Sequence, residues 1–180
     1  VAVSLVYFPS QQLLVLTVLV LSALAVWIRP VLALALIPAA LPIFDLAPWT
    51  GRFYWSEFDL LLLVVLAIGW LRTTPMQYRA GTGPARVLQI TLWLFGISLA
   101  ASAVRGVLPW QWPDLNSFNS YYSGFNALRI AKGAVWAVAF AALYRRVAAC
   151  AHEKFAVFAW GMSAGLMATV GVILWERMGF

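Results

Sequence analysis

Residues 11–30 read QQLLVLTVLVLSALAVWIRP. Between Leu13 and Ile28 no side chain is charged, and Leu and Val dominate the composition. About 20 apolar residues in helical conformation cross the hydrocarbon core of a bilayer, so this stretch predicts a transmembrane helix. The helix is expected to end at Arg29, because proline disfavours helix at the residue before it and suits the first turn of the next helix. Arg29-Pro30 therefore predicts a tight helical hairpin.

The rest of the chain has the same apolar character. Of its 180 residues, 64% are hydrophobic and 10% are charged, whereas soluble domains hold about 45–50% and about 25%. We predict an all-α, polytopic transmembrane helical bundle of about six spans. Residues 1–180 are expected to form a single region and, since the chain begins at Val1 rather than Met, to be part of a longer protein. The spans are expected near residues 11–28, 31–44, 57–71, 87–104, 125–144 and 155–175.

Two pairs of residues carry information about how the helices pack. The short second segment contains Pro38 and Pro42. Proline removes a backbone donor and clashes with the preceding turn, so we expect a kinked or broken helix there. Gly161 and Gly165 form a GxxxG pattern in the sixth segment. Small residues let helices approach closely, which predicts packing against a helix of this chain or of a missing part.

Basic residues are unevenly distributed among the loops. Alternate loops share one side of the membrane, and the side richer in Lys and Arg is cytoplasmic. The loops at residues 72–86 and 145–154 are therefore predicted to be cytoplasmic, and the aromatic-rich loops at 45–56 and 105–124 to face outward. The richer set holds Arg29, Arg72, Arg79, Arg86, Arg145, Arg146 and Lys154, and the poorer set holds Arg52, Arg105 and Arg177.

Charge and cysteine usage exclude several classes of function. The net charge of +6 comes from residues at segment ends rather than from one basic stripe. We therefore predict contact with anionic membrane lipids and no nucleic-acid partner. The single Cys150 and the single His152 are too few to build a disulfide framework or a metal site, so no metal is expected.

The fifth segment opens with Asn126, Arg129 and Lys132. Arg129 and Lys132 are three residues apart, so they share one helix face. Both lie in an otherwise apolar run near its outer end, where a charge is costly unless it is paired, hydrated or snorkelling. Cations placed there can hold a phosphate or diphosphate, Arg bidentately and Lys as a point charge. The alternative is that they snorkel to lipid headgroups or pair with Asp45 or Asp59.

Carboxylates lie on the same predicted outer side, at Asp45, Glu57 and Asp59. Ser56 and Asp59 have the spacing of a capping box that opens the third helix, and acidic residues at a helix start complement its dipole. That structural role competes with a second one, in which a carboxylate orients an acceptor hydroxyl or pairs with one of the cations. Arg52, in the same outer loop, is a further candidate for diphosphate contact.

Three stretches carry a family resemblance: LPIFDLAPWTGR at residues 41–52 followed by EFD at 57–59, NALRIAKG at 126–133, and WER at 175–177. Together they resemble the N-terminal membrane half of bacterial O-antigen ligase and O-antigen polymerase-like proteins. The resemblance implies a bacterial inner-membrane enzyme with many spans around a large periplasmic loop, which transfers glycans carried on undecaprenyl diphosphate and needs no cofactor. The arginine and histidine residues of that loop have no counterpart here. His152 lies on the predicted cytoplasmic side, so the catalytic residues stay unassigned.

The expected function is therefore that of a membrane portion of a glycan ligase or polymerase in cell-surface polysaccharide biosynthesis. Its expected partners are membrane lipids and a polyprenyl-diphosphate-linked glycan. One alternative is a transporter or flippase-like protein, in which the proline-containing second segment lines a path. The other is a non-enzymatic membrane scaffold subunit, which the packing face at Gly161 and Gly165 would serve.

Overall fold

The computed structural model describes residues 12–46, 56–73, 86–110, 112–114, 117, 122–150 and 152–179. Within these ranges the chain is helical and contains no β-strand, which confirms the all-α prediction. The described part contains α1 (Gln12–Ile28), α2 (Ala33–Leu46), α3 (Glu57–Arg72), α4 (Arg86–Val107), α5 (Asn126–Cys150) and α6 (Lys154–Gly179). A short 3₁₀ turn, Pro30–Leu32, precedes α2.

Three of these helices are long and apolar enough to cross a membrane. The stretches are Gln89–Val107 in α4, Asn126–Val147 in α5 and Lys154–Leu174 in α6. The apolar stretches Leu13–Ile28 and Pro30–Phe44 are shorter. A helix rises 1.5 Å per residue, so α1 reaches about 25 Å, slightly less than the roughly 30 Å of a hydrocarbon core. The described helices therefore support a membrane-embedded protein with three helices of spanning length, and six complete spans stay a prediction.

The first of two compact units contains Val1–Met76 and Phe140–Phe180. Within it α3 packs against both α1 and α2, and α2 packs most extensively against α6. The helices α1 and α2 share little contact with each other, so the expected hairpin exists as a tight turn and not as a packed pair. The largest fully buried side chains among the described residues of this unit are Val26, Leu34, Leu61, Val65, Leu143 and Val147.

The proline-containing helix α2 runs without a break through Pro38 and Pro42. Of the predicted kink or break, the break is therefore wrong, and the kink stays a prediction. Each proline lacks an N–H, which leaves the carbonyl four residues earlier without its helical donor. For Pro42 that carbonyl belongs to Pro38. The helix continues because packing of neighbouring helices and re-satisfaction of freed backbone groups tolerate proline inside membrane helices.

Close approach of two backbones explains the pairing of α2 with α6. A Cβ placed on Gly161 would meet the backbone of Ala35, with the carbonyl oxygen at 2.5 Å. One placed on Gly165 would lie 2.5 Å from the carbonyl oxygen of Pro38. Real Cβ atoms essentially never come within 3.0 Å of another heavy atom. The glycines therefore permit a distance between α2 and α6 that alanine would not.

The second compact unit contains residues 77–139, with α4 and the first part of α5. The side chains of α4 are exposed along almost all of its length. A Cβ on Gly124 would lie 2.8 Å from the carbonyl oxygen of Gly106, so the chain approaches α4 closely just before α5 begins. The rings of Trp110 and Phe125 meet edge to face, with 5.5 Å between centroids. These contacts hold the end of α4 beside the start of α5.

Candidate functional site

The candidate site lies at the start of α5. The N–H of Phe125 donates to Ser123 Oγ at 3.2 Å, and the N–H of Asn126 donates to the Ser123 carbonyl oxygen at 3.0 Å. Ser123 thereby satisfies donors near the amino end of the helix, where backbone N–H groups have no intrahelical acceptor. Consequently α5 begins at Asn126 and holds Arg129 and Lys132 in its first two turns.

Arg129 and Lys132 lie on a half-buried face of α5. Trp136, one turn after Lys132, is half-buried as well, whereas Ile130 and Val135 are 65% and 63% exposed. Ionisable side chains in membrane helices almost always face the protein interior or a hydrated cavity rather than lipid. The burial of the two cations is that of a protein-facing side. Their sequence position also predicts a polar cavity near the outer surface, lined in addition by Asp45, Arg52, Glu57 or Asp59, and this cavity stays a prediction.

Ser56 and Asp59 form the predicted capping box at the start of α3. Asp59 Oδ2 accepts hydrogen bonds from the Ser56 N–H at 2.8 Å and from Ser56 Oγ at 3.1 Å, and the Asp59 N–H donates to Ser56 Oγ at 3.4 Å. Asp59 and Glu57 are each only 3% exposed. Both lie in the first turn, where a carboxylate complements the helix dipole. The helix-capping interpretation of Asp59 is therefore confirmed.

The remaining candidate residues fall in different parts of the chain. Asn126 is half-buried at the first position of α5. Asp45 lies in the last turn of α2, and Arg52 lies outside the described residues. The two cations of α5 belong to the second unit, whereas Glu57 and Asp59 belong to the first. A single cavity lined by both groups of side chains therefore stays a prediction.

Two arginine–tryptophan pairs at one end of the first unit were not singled out from the sequence. Arg72 Nε donates to the carbonyl oxygen of Trp27 at 3.0 Å, and its guanidinium carbon lies 4.9 Å from the centroid of that indole. A terminal nitrogen of Arg146 donates to the Thr73 carbonyl oxygen at 3.2 Å, and its guanidinium carbon lies 4.3 Å from the Trp70 ring centroid. Both guanidinium–ring distances fall within the roughly 6 Å reach of a cation–π interaction. The sequence does contain one signal for them. Each tryptophan stands two residues before an arginine at the end of an apolar run, Trp27 before Arg29 and Trp70 before Arg72.

These contacts bring the carboxyl ends of α1, α3 and α5 to one end of the first unit. Trp27 lies in the last turn of α1, Arg72 ends α3, and Arg146 lies near the end of α5. The alternation of basic loops predicts the same grouping, since Arg29, Arg72 and Arg145 belong to loops on one side of the membrane. The structure supports the grouping, and its cytoplasmic orientation stays a prediction.

In the ranges that the structure describes, no group of three or more His, Cys, Asp or Glu side chains is placed to hold a metal ion. No family model, curated protein or solved structure matches this chain. The resemblance to O-antigen ligases and polymerases therefore rests only on the residues quoted for it. The function must be proposed from the chemistry of the chain itself.

Proposed function

We propose that this chain is the membrane portion of a bacterial inner-membrane glycan ligase or polymerase that binds undecaprenyl-diphosphate-linked saccharide. The observation that carries the proposal is the placement of Arg129 and Lys132 on a half-buried face at the start of a helix of spanning length. Charged side chains within a membrane span are costly, and for that reason they mark binding or transport sites.

The helix dipole strengthens the case for an anionic ligand. The amino end of a helix carries partial positive charge, so a cation in the first turn is unfavourable there and an anion is favourable. The first turn of α5 contains no acidic residue, and Arg129 follows directly after three helical residues. The dipole, Arg129 and Lys132 all attract negative charge at this position. A diphosphate at the depth of the lipid headgroups fits that pattern.

The two cations have distinct roles in the proposed reaction. An acceptor hydroxyl attacks the anomeric carbon of the donor saccharide and loses its proton to water. The bond from that carbon to the diphosphate oxygen breaks, and the bonding electrons leave with the diphosphate. Arg129 is suited to bidentate contact with phosphate oxygens, and Lys132 supplies a point charge. Both stabilise the charge that develops on the leaving group. Asn126, one turn earlier, adds an amide donor for a phosphate oxygen.

The two other functions have less support from the described residues. A transporter of the discontinuous-helix type places its binding site at broken helices, whereas α2 is unbroken. A scaffold subunit would offer Gly161 and Gly165 to a partner protein. Both glycines instead approach the backbone of α2.

A binding experiment with a short polyprenyl diphosphate tests the proposal. The purified chain in nanodiscs is titrated with farnesyl diphosphate, and with farnesol as the probe that lacks the diphosphate. Arg129→Gln and Lys132→Gln are each expected to weaken farnesyl diphosphate binding about ten- to a hundredfold, because a hydrogen bond to a charged group contributes about 1.5–3 kcal/mol. Neither change is expected to alter farnesol binding.

Arg105→Gln is the matched control, since Arg105 is an exposed arginine of the second unit in the last turn of α4. This variant is expected to bind farnesyl diphosphate like the wild type. An equal loss in all three variants would indicate a general charge effect and not a site. Wild-type binding by both Arg129→Gln and Lys132→Gln would refute the proposal.

A further inference from the structure

The end of the first unit where α1, α3 and α5 finish carries a large excess of positive charge, and it is called the basic end below. Among its described residues the single carboxylate is Glu153, in the short connection between α5 and α6. Juxtamembrane clusters of Lys and Arg attract anionic lipid headgroups. The cations of the basic end are Arg29, Arg72, Arg145, Arg146 and Lys154.

Two of these cations are held in fixed orientations. Arg72 and Arg146 each lie over an indole ring and donate to a main-chain carbonyl, that of Trp27 and that of Thr73 respectively. A guanidinium carries five N–H donors in a planar fork. Within the described part of the chain each fork uses one of these donors, which leaves others for an anion. An oriented fork loses less entropy than a free side chain when it binds a phosphate bidentately.

Apolar surface lies beside the oriented cations. Trp27 is 51% exposed and Trp70 is 41% exposed, and Leu71 is 76% exposed. Tryptophan is enriched at membrane interfaces because its ring is apolar while its N–H is polar. A phosphate attached to acyl chains can contact both the cations and the rings, whereas a soluble phosphate ion can contact only the cations. The surroundings therefore favour a lipid as the source of the anion.

We propose that Arg72 and Arg146 bind the phosphate of an anionic phospholipid headgroup at the basic end, with Trp27 and Trp70 contacting the lipid beside it. The Trp70–Thr73 segment is the centre of the site, because it contributes one ring, one cation and the carbonyl that positions the other cation. The site is independent of the proposed glycan function, since it uses neither Arg129 nor any residue near it.

The full chain in a neutral detergent is titrated with dioctanoyl phosphatidylglycerol, and with dioctanoyl phosphatidylcholine, whose choline cation opposes binding beside arginines. Arg72→Gln and Arg146→Gln are each expected to weaken phosphatidylglycerol binding about tenfold and to leave phosphatidylcholine binding unchanged. Arg177→Gln is the matched control, because Arg177 is exposed in the last turn of α6, at the opposite end of that helix from Lys154. This control is expected to bind both lipids like the wild type.

Three results would overturn the proposal. The first is wild-type phosphatidylglycerol binding by Arg72→Gln and Arg146→Gln. The second is displacement of the lipid by inorganic phosphate at a similar concentration, which would show that the site takes phosphate without a lipid. If Arg72→Gln fails to fold, Arg72→Lys replaces it, since lysine keeps the charge and loses the planar fork. Its binding is expected to be weaker by about threefold or more, and unchanged binding would be the third contrary result.

Discussion

Replacement of Gly161 by alanine is expected to destabilise the first unit. The new Cβ would meet the backbone of Ala35, with the carbonyl oxygen at 2.5 Å, about 0.9 Å inside the 3.4 Å at which ordinary contact begins. Because the obstacle is backbone and not a flexible side chain, α2 and α6 must separate. Overpacking of this kind costs about 1–3 kcal/mol, whereas the higher helix propensity of alanine returns at most about 1 kcal/mol. With that full return the net loss is about 0–2 kcal/mol, and relative to an alanine that meets no obstacle the loss is about 1–3 kcal/mol.

The neighbouring glycine acts through a different group. Pro42 has no N–H, so the carbonyl of Pro38 lacks its helical donor. A Cβ on Gly165 would lie 2.5 Å from that oxygen. In glycine a Cα hydrogen takes the place of the Cβ, so this hydrogen is directed at the oxygen. A weak Cα–H to oxygen contact there, worth about 0.5–1 kcal/mol, is lost in Gly165→Ala in addition to the steric cost. Gly165→Ala is therefore expected to be destabilising as well, through both the steric cost and the loss of this contact.

Unfolding of the purified chain by SDS in mixed micelles, followed by far-ultraviolet circular dichroism, measures both losses. Gly171→Ala is the matched control, because Gly171 lies in the same helix and a Cβ there meets nothing within 4 Å. This control is expected to unfold like the wild type or to be up to about 1 kcal/mol more stable. If Gly161→Ala unfolds at the same SDS fraction as Gly171→Ala, the close approach of α2 and α6 is not what holds this unit together.

Two further results are expected. Ser56→Ala removes the capping box of α3 and should lower stability by about 1 kcal/mol in the same SDS assay. The control Ser102→Ala, on the exposed surface of α4, should change stability by less than about 0.5 kcal/mol. Equal stability of the two variants would contradict the capping role. In a Cys150→Ser background, Thr82→Cys should resist a membrane-impermeant maleimide in intact cells and Ser120→Cys should react, and external labelling at position 82 would reverse the predicted orientation.

The positions of the helices could be predicted closely from the sequence because their signals are local. The first helix was expected near residues 11–28 and is Gln12–Ile28, since an apolar run ends there at an Arg-Pro pair. The fifth helix was expected to end near residue 144 but continues to Cys150. Arg145 and Arg146 suggested a loop, yet long basic side chains can lie on a helix and extend toward polar groups. Arg146 does so by donating to a carbonyl at the end of α3.

The pairing of the helices could not be predicted in the same way. All the segments are apolar, and in lipid no hydrophobic driving force favours one helix pair over another. The contacts that decide the pairing are specific to a few atoms, such as Gly165 against the carbonyl of Pro38. A GxxxG pattern and a pair of prolines were visible in the sequence, but neither indicates which helix lies opposite. The continuity of α2 through its prolines also depends on packing against neighbouring helices, which the sequence does not indicate.

The helix dipole has opposite effects on the charges of Arg146 and Arg129. Arg146 donates to a carbonyl at the carboxyl end of α3, where the dipole favours positive charge, so it stabilises the fold without any ligand. Arg129 lies near the amino end of α5, where the dipole disfavours positive charge. Without ligand, Arg146→Gln should therefore lower stability toward SDS more than Arg129→Gln does, because the dipole favours the first cation and disfavours the second. If Arg129→Gln instead destabilises the chain as much as Arg146→Gln does, Arg129 is a structural residue, and the electrostatic reason for placing a diphosphate beside it disappears.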